Sequence, residues 1–154
     1  EPDDRLCLVS HSRGGADADV VREFDLERKA FVERGFSLPE AKSRVAWAGG
    51  DRLLVATDFG PGTLTTSGYP RTVRDWSRGT PLQEAALVYE GRADDMSVAA
   101  WRDPTPGFER EFVLRQKTFY TNELFLRRDG RLLPIEKPDD ATAKVHREIG
   151  RAHV

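Results

Sequence analysis

Three short runs of this chain, Leu53-Leu54-Val55-Ala56, Phe112-Val113-Leu114 and Leu124-Phe125-Leu126, are apolar at every position. Successive side chains of a strand point to opposite faces, so an unbroken apolar run implies a sheet buried on both sides. A half-exposed sandwich would alternate apolar and polar residues more cleanly. The runs sit inside a repeating plan. Candidate strands at Arg44 to Trp47, Arg52 to Thr57, Arg71 to Trp76 and Ala86 to Glu90 are followed by Ser97 to Trp101, Glu111 to Lys117, Glu123 to Arg127 and Leu132 to Glu136. The first set holds four strands in about fifty residues, and the second again holds four. Three more precede them, Arg5 to Ser10, Val20 to Leu26 and Ala30 to Phe36, the last closed by Leu38-Pro39. The first unit thus reads as incomplete, with its fourth strand upstream.

The stretch 41–81 shows one unit in detail. Gly49-Gly50-Asp51 separates two strands as a hairpin turn, its glycines free to take positive φ, and a long Gly- and Pro-containing connection leads to the third strand. Internal matches support the repeat: Val45-Ala46-Trp47 aligns with Ala99-Ala100-Trp101, and the segment 76–82 with 126–132. The reading is an all-β fold of about three four-stranded antiparallel blades, the first incomplete, in units of roughly 1–40, 41–92 and 93–138. Stacking such units around an axis gives a β-propeller. A single β-sandwich of the same strands is the alternative.

Composition narrows the function classes. The 154 residues carry 24 Lys and Arg against 26 Asp and Glu, a net charge of −2 with the signs interspersed, so nothing suggests a nucleic-acid footprint. No apolar run approaches the roughly 20 residues that span a bilayer. The single cysteine, Cys7, lies among Leu6, Leu8 and Val9 and reads as a small strand residue, which favours a reducing, cytoplasmic setting.

Candidate chemistry is sparse. His11 and Ser12 are adjacent on a strand and point apart, which does not suit a base and its nucleophile. Asp58, Asp94 and Asp95 read as turn-capping aspartates rather than glycosidase carboxylates. Asp17 and Asp19 lack the bidentate Glu of a calcium loop, so no metal site is expected. Gly60-Pro61-Gly62 lacks the Lys-Ser/Thr of a phosphate loop, and no cofactor is expected. Trp47 and Trp101 take matching repeat positions, which suggests packing between units. The long loops are the places to look for contacts, and Phe59, Tyr69 and Phe108 are the candidate residues for touching substrate or a partner domain.

The loop and strand Thr57-Asp58-Phe59-Gly60-Pro61-Gly62-Thr63-Leu64-Thr65-Thr66-Ser67-Gly68-Tyr69-Pro70-Arg71 resembles the propeller of prolyl oligopeptidase-family serine peptidases. The segments 12–17, 21–25 and 105–110 are similar to a bacterial branch of that family, in the same order. The resemblance implies a seven-bladed propeller at the N-terminal side of an α/β-hydrolase domain, gating access of oligopeptides to it and docking on it. The chain contains no Gly-x-Ser-x-Gly, so no catalytic residue carries over to any position. A non-catalytic propeller scaffold that binds protein partners is the alternative.

The last six residues, Ile149-Gly150-Arg151-Ala152-His153-Val154, break from the pattern. They are what one frame of a common sequencing-library adapter encodes. The expectation is a partial propeller over 1–148 followed by adapter translation at 149–154, with truncation of a longer gene also accounting for the missing initiator Met.

Overall fold

A computed structural model describes residues 5–12 and 14–141; the six-residue tail lies outside them. The first sheet contains β1 (Leu6–Ser12), β2 (Asp19–Asp25), β3 (Ala30–Phe31) and β4 (Ser37–Ala41). The second contains β5 (Arg44–Gly49), β6 (Arg52–Ala56), β7 (Thr72–Ser77) and β8 (Ala86–Glu90), and the third β9 (Ser97–Asp103), β10 (Arg110–Gln116), β11 (Asn122–Arg128) and β12 (Arg131–Ile135). In the second and third sheets each strand pairs with the next in sequence, antiparallel throughout. A 3-10 turn, Leu82–Glu84, precedes β8.

The sheets stack face to face, as the all-apolar runs require. Leu53 and Val55 of β6 point into a core shared with the first sheet, among Val21, Phe36, Leu38 and Trp76. Their neighbours Leu54 and Ala56 point the other way, into a core shared with the third sheet, with Val73, Val98, Ala100 and Val113. These four β6 side chains are at most 1% exposed, so both faces of the strand are dry there.

The first sheet departs from the expected strand over Ala30 to Phe36. Only its first two residues form a strand, β3, residues 32–36 leave the ladder, and the expected terminator Leu38-Pro39 lies inside β4. The cause is Glu23. Its backbone N–H donates to Phe36 O at 2.9 Å and its carbonyl accepts from Val32 N at 3.0 Å, so residues 33–35 loop outward opposite one residue of β2. The bulge makes room for the glutamate side chain, whose Oε2 accepts the Phe36 N–H at 2.8 Å. A Cβ on Gly35 would sit 2.7 Å from that oxygen, which explains the glycine.

The repeat is also offset by one residue in the third sheet. Trp47 faces the first sheet, its ring 5.8 Å from Phe36, whereas Ala100, not Trp101, faces the second. Trp101 lies on the opposite side, stacked 5.5 Å from Phe112. Phe125 likewise packs toward the second sheet, whereas its neighbour Leu126, aligned with Trp76 by sequence, is on the far face. A one-residue slip in a strand exchanges its faces.

Asp25 closes the turn after β2. Its carboxylate accepts Arg5 Nη2 at 2.6 Å and the N–H groups of Glu27 and Arg28 at 3.0 Å each. The Arg5 hydrogen bond, aided by that of Arg28, lowers its pKa to about 2. The unfolded carboxyl titrates near 3.9, so the stabilisation from Asp25 is complete above about pH 4 and lost as pH falls through the folded value. Urea midpoints of the wild type and Asp25→Asn should therefore converge between pH 5 and about pH 2. A gap that stays constant over that range would contradict this.

Candidate functional site

The connections divide between two faces of the stack. One, here the link face, carries residues 14–18, 42–43, 57–71, 91–96 and 117–121. The other, the hairpin face, carries 26–29, 50–51, 78–85, 104–109 and 129–130. Phe59 and Tyr69 lie on the link face, and Phe108 lies on the hairpin face. The structure therefore does not bring the three candidate residues together.

The 57–71 connection is held firmly. Asp58 Oδ1 accepts the Gly60 N–H at 2.8 Å, Thr63 Oγ1 accepts that of Phe59 at 3.0 Å, and Thr65 N donates to Tyr69 O at 2.7 Å. Gly60, Gly62 and Gly68 have φ of 108°, 81° and 77°, conformations that side chains beyond glycine rarely adopt. Arg71 ties the loop to the next link, donating to Gly62 O at 2.6 Å and Gly91 O at 3.1 Å and pairing with Glu90. Phe59 is half-buried at the edge of the first core, with the Arg74 guanidinium 4.3 Å from its ring centre. Tyr69 is half-buried under the Lys42 ammonium, 4.2 Å from its ring, and Lys42 reaches Asp17 at 3.6 Å. Phe108, by contrast, is 49% exposed.

Farther along the link face, Asp95 is buried and accepts the Arg92 N–H at 2.6 Å and two Arg115 nitrogens at 2.8 and 2.9 Å. Burial pushes its pKa up, but Arg115 and the Arg92 N–H outweigh that and hold it below the ordinary range. Arg115 continues to Glu123, Glu123 to Lys117, and Lys117 to Asp139. Asp95 thus has a structural partner for each oxygen. His11 is exposed, its ring 5.8 Å from Phe31. Among the described residues no three His, Cys, Asp or Glu side chains are placed to hold a metal ion.

Sequence reasoning passed over Phe119 and Tyr120, the most exposed large apolar side chains among the described residues, at 80% and 81%. They sit on the link face, in the turn between β10 and β11. Two adjacent aromatics inside a turn were the available signal.

No family model matches the chain. An uncharacterized peptidase of Sinorhizobium fredii is 37% identical over 125 residues, 80% of this chain and 17% of its own length. An uncharacterized peptidase of Rickettsia prowazekii is 28% identical over 149 residues, 88% of this chain and 21% of its own. The solved structure of a post-proline cleaving enzyme from Rickettsia typhi matches with a TM-score of 0.82 and 28% identity, over 90% of this chain and 22% of that one. A prolyl endopeptidase structure matches with a TM-score of 0.70 at 14% identity, covering 89% and 21%, and shows the shared fold. The chain spans about a fifth of the length of these relatives. Its three four-stranded antiparallel sheets match the propeller blades of the post-proline cleaving enzyme, and the chain is similar to part of a prolyl oligopeptidase-type β-propeller.

Proposed function

We propose that this chain is a segment of the seven-bladed propeller of a serine-type oligopeptidase or prolyl endopeptidase, which gates access of oligopeptides to an α/β-hydrolase domain and docks on that domain. The observation that carries the reading is the match to the post-proline cleaving enzyme, in which fold and sequence agree over nine-tenths of the chain. The propeller extends over 1–148 with units near 1–40, 41–92 and 93–138, followed by adapter translation at 149–154, and the parent works in the cytoplasm. On this reading the segment shapes and restricts the approach to the active site, while the chemistry belongs to the hydrolase domain. No helix among the described residues is long and apolar enough to cross a membrane.

Recovery of the gene from independent DNA tests the reading. Downstream of this segment it should encode Gly-x-Ser-x-Gly between a strand and a helix, then Asp, then His. A native stop codon directly after IGRAHV would overturn it. The purified 154-residue chain should not hydrolyse peptides, because it holds no nucleophile motif. Turnover that resists removal of contaminants and is blocked by a serine-directed fluorophosphonate would contradict this.

A further inference from the structure

A blade of four antiparallel strands fixes where the chain enters and leaves it, because an even number of antiparallel passes returns the backbone to the face it started from. β5 begins and β8 ends on the link face, and β9 begins and β12 ends there too. A domain joined to the propeller through the first strand of one blade and the last strand of another is tethered on the link face, not on the hairpin face.

Phe119 and Tyr120 project from that face on a braced turn. Thr118 Oγ1 accepts the N–H groups of Tyr120 and Thr121 at 3.1 Å each, and the two threonine hydroxyls lie 2.8 Å apart. The Gln116 side-chain amide donates to Thr118 O at 2.5 Å, and Lys117 N donates to Thr121 O at 3.0 Å. The ion pairs of Lys117 with Glu123 and Asp139 lie beside the turn. Rigidly presented aromatics with charged neighbours have the make-up of an interface anchor, where large rings supply contact area and polar groups surround it.

We propose that Phe119 and Tyr120 are the anchor through which this segment docks on the α/β-hydrolase domain of its parent; the inference rests on the reading above that such a domain exists. The relatives are about five times longer than the matched segment, so a tethered occupant of domain size fits the chain lengths. Phe108 stands on the hairpin face and takes no part in that contact.

The test uses the protein expressed from the complete reading frame, with Phe119→Ser/Tyr120→Ser, the conservative Phe119→Tyr/Tyr120→Phe, and Phe108→Ser as the opposite-face control. Two readouts are small-angle scattering and the ratio of turnover on a short peptide to turnover on a long unfolded polypeptide. The double serine variant should have a larger radius of gyration and lose at least tenfold of its discrimination against the long substrate, as removal of a two-residue hot spot implies. The conservative variant and Phe108→Ser should match the wild type. An active enzyme whose scattering and discrimination ignore the double serine substitution would overturn the inference and leave the peptidase reading standing. A shift caused by Phe108→Ser alone, or loss of a dimer with the monomer shape unchanged, would overturn it as well. A reading frame without a hydrolase domain removes both, and sequencing shows that before any variant is made.

Discussion

Replacing Arg78 by Met is expected to destabilise the chain by about 3–5 kcal/mol, because it leaves a buried carboxylate without its charge partner. The Glu23 side chain is wholly enclosed, and Arg78 donates to both of its oxygens, at 2.8 and 2.9 Å, from the adjoining sheet. The hydrogen bonds of Glu23 hold the Arg78 pKa above its ordinary value. The guanidinium also lies 4.6 Å from the centre of the Phe36 ring and reaches Asp51 at 2.9 Å. One arginine thus fastens the first sheet to the second. Total stability of a domain this size is about 5–15 kcal/mol, so the loss should be plain in a urea melt. Combining Arg78→Met with Glu23→Leu should recover part of the loss, since an apolar pair of similar volume often replaces a buried ion pair at little cost. A single-variant effect below about 1 kcal/mol would mean that solvent reaches Glu23 when Arg78 is gone.

Trp76→Ala should cost a similar amount, about 3–5 kcal/mol, for a different reason. The indole is 6% exposed in the core between the first two sheets, 4.9 Å from Phe36 in an edge-to-face arrangement. Its Nε1–H donates to Thr80 O at 2.8 Å and so closes the turn after β7. Truncation opens a cavity between two rigid sheets that have little freedom to collapse. Thermal unfolding should show a lowered midpoint, and Trp76→Phe should retain most of the packing while losing the hydrogen bond. Equal losses for Phe and Ala would show that the turn, rather than the packing, is what the indole supports.

Most strands of the second and third sheets were legible because they carry a compact apolar run bounded by turn residues, although β7, Thr72–Ser77, does not. β8, for example, spans Ala86–Glu90 as the sequence suggested. The break at residues 32–36 was not legible, since it depends on a carboxylate from another strand and an arginine 55 residues farther along. Trp47 and Trp101 look equivalent in sequence, but a one-residue offset sends them to different faces. Phe108 was grouped with Phe59 and Tyr69 because all three are loop aromatics. Counting antiparallel passes would have separated them, and the same count brings Phe119 and Tyr120 to the link face. Phe59 and Tyr69 are also less free than loop residues suggest, since Arg74 and Lys42 cover their rings.

The most direct measurement is hydrolysis of a short proline-containing peptide by the protein expressed from the complete reading frame. The account predicts cleavage of the short peptide, inhibition by a serine-directed fluorophosphonate, and slow or no cleavage of a folded protein that contains the same sequence. A full-length, folded product that binds no fluorophosphonate and cleaves no peptide would contradict it, leaving the blades as a scaffold.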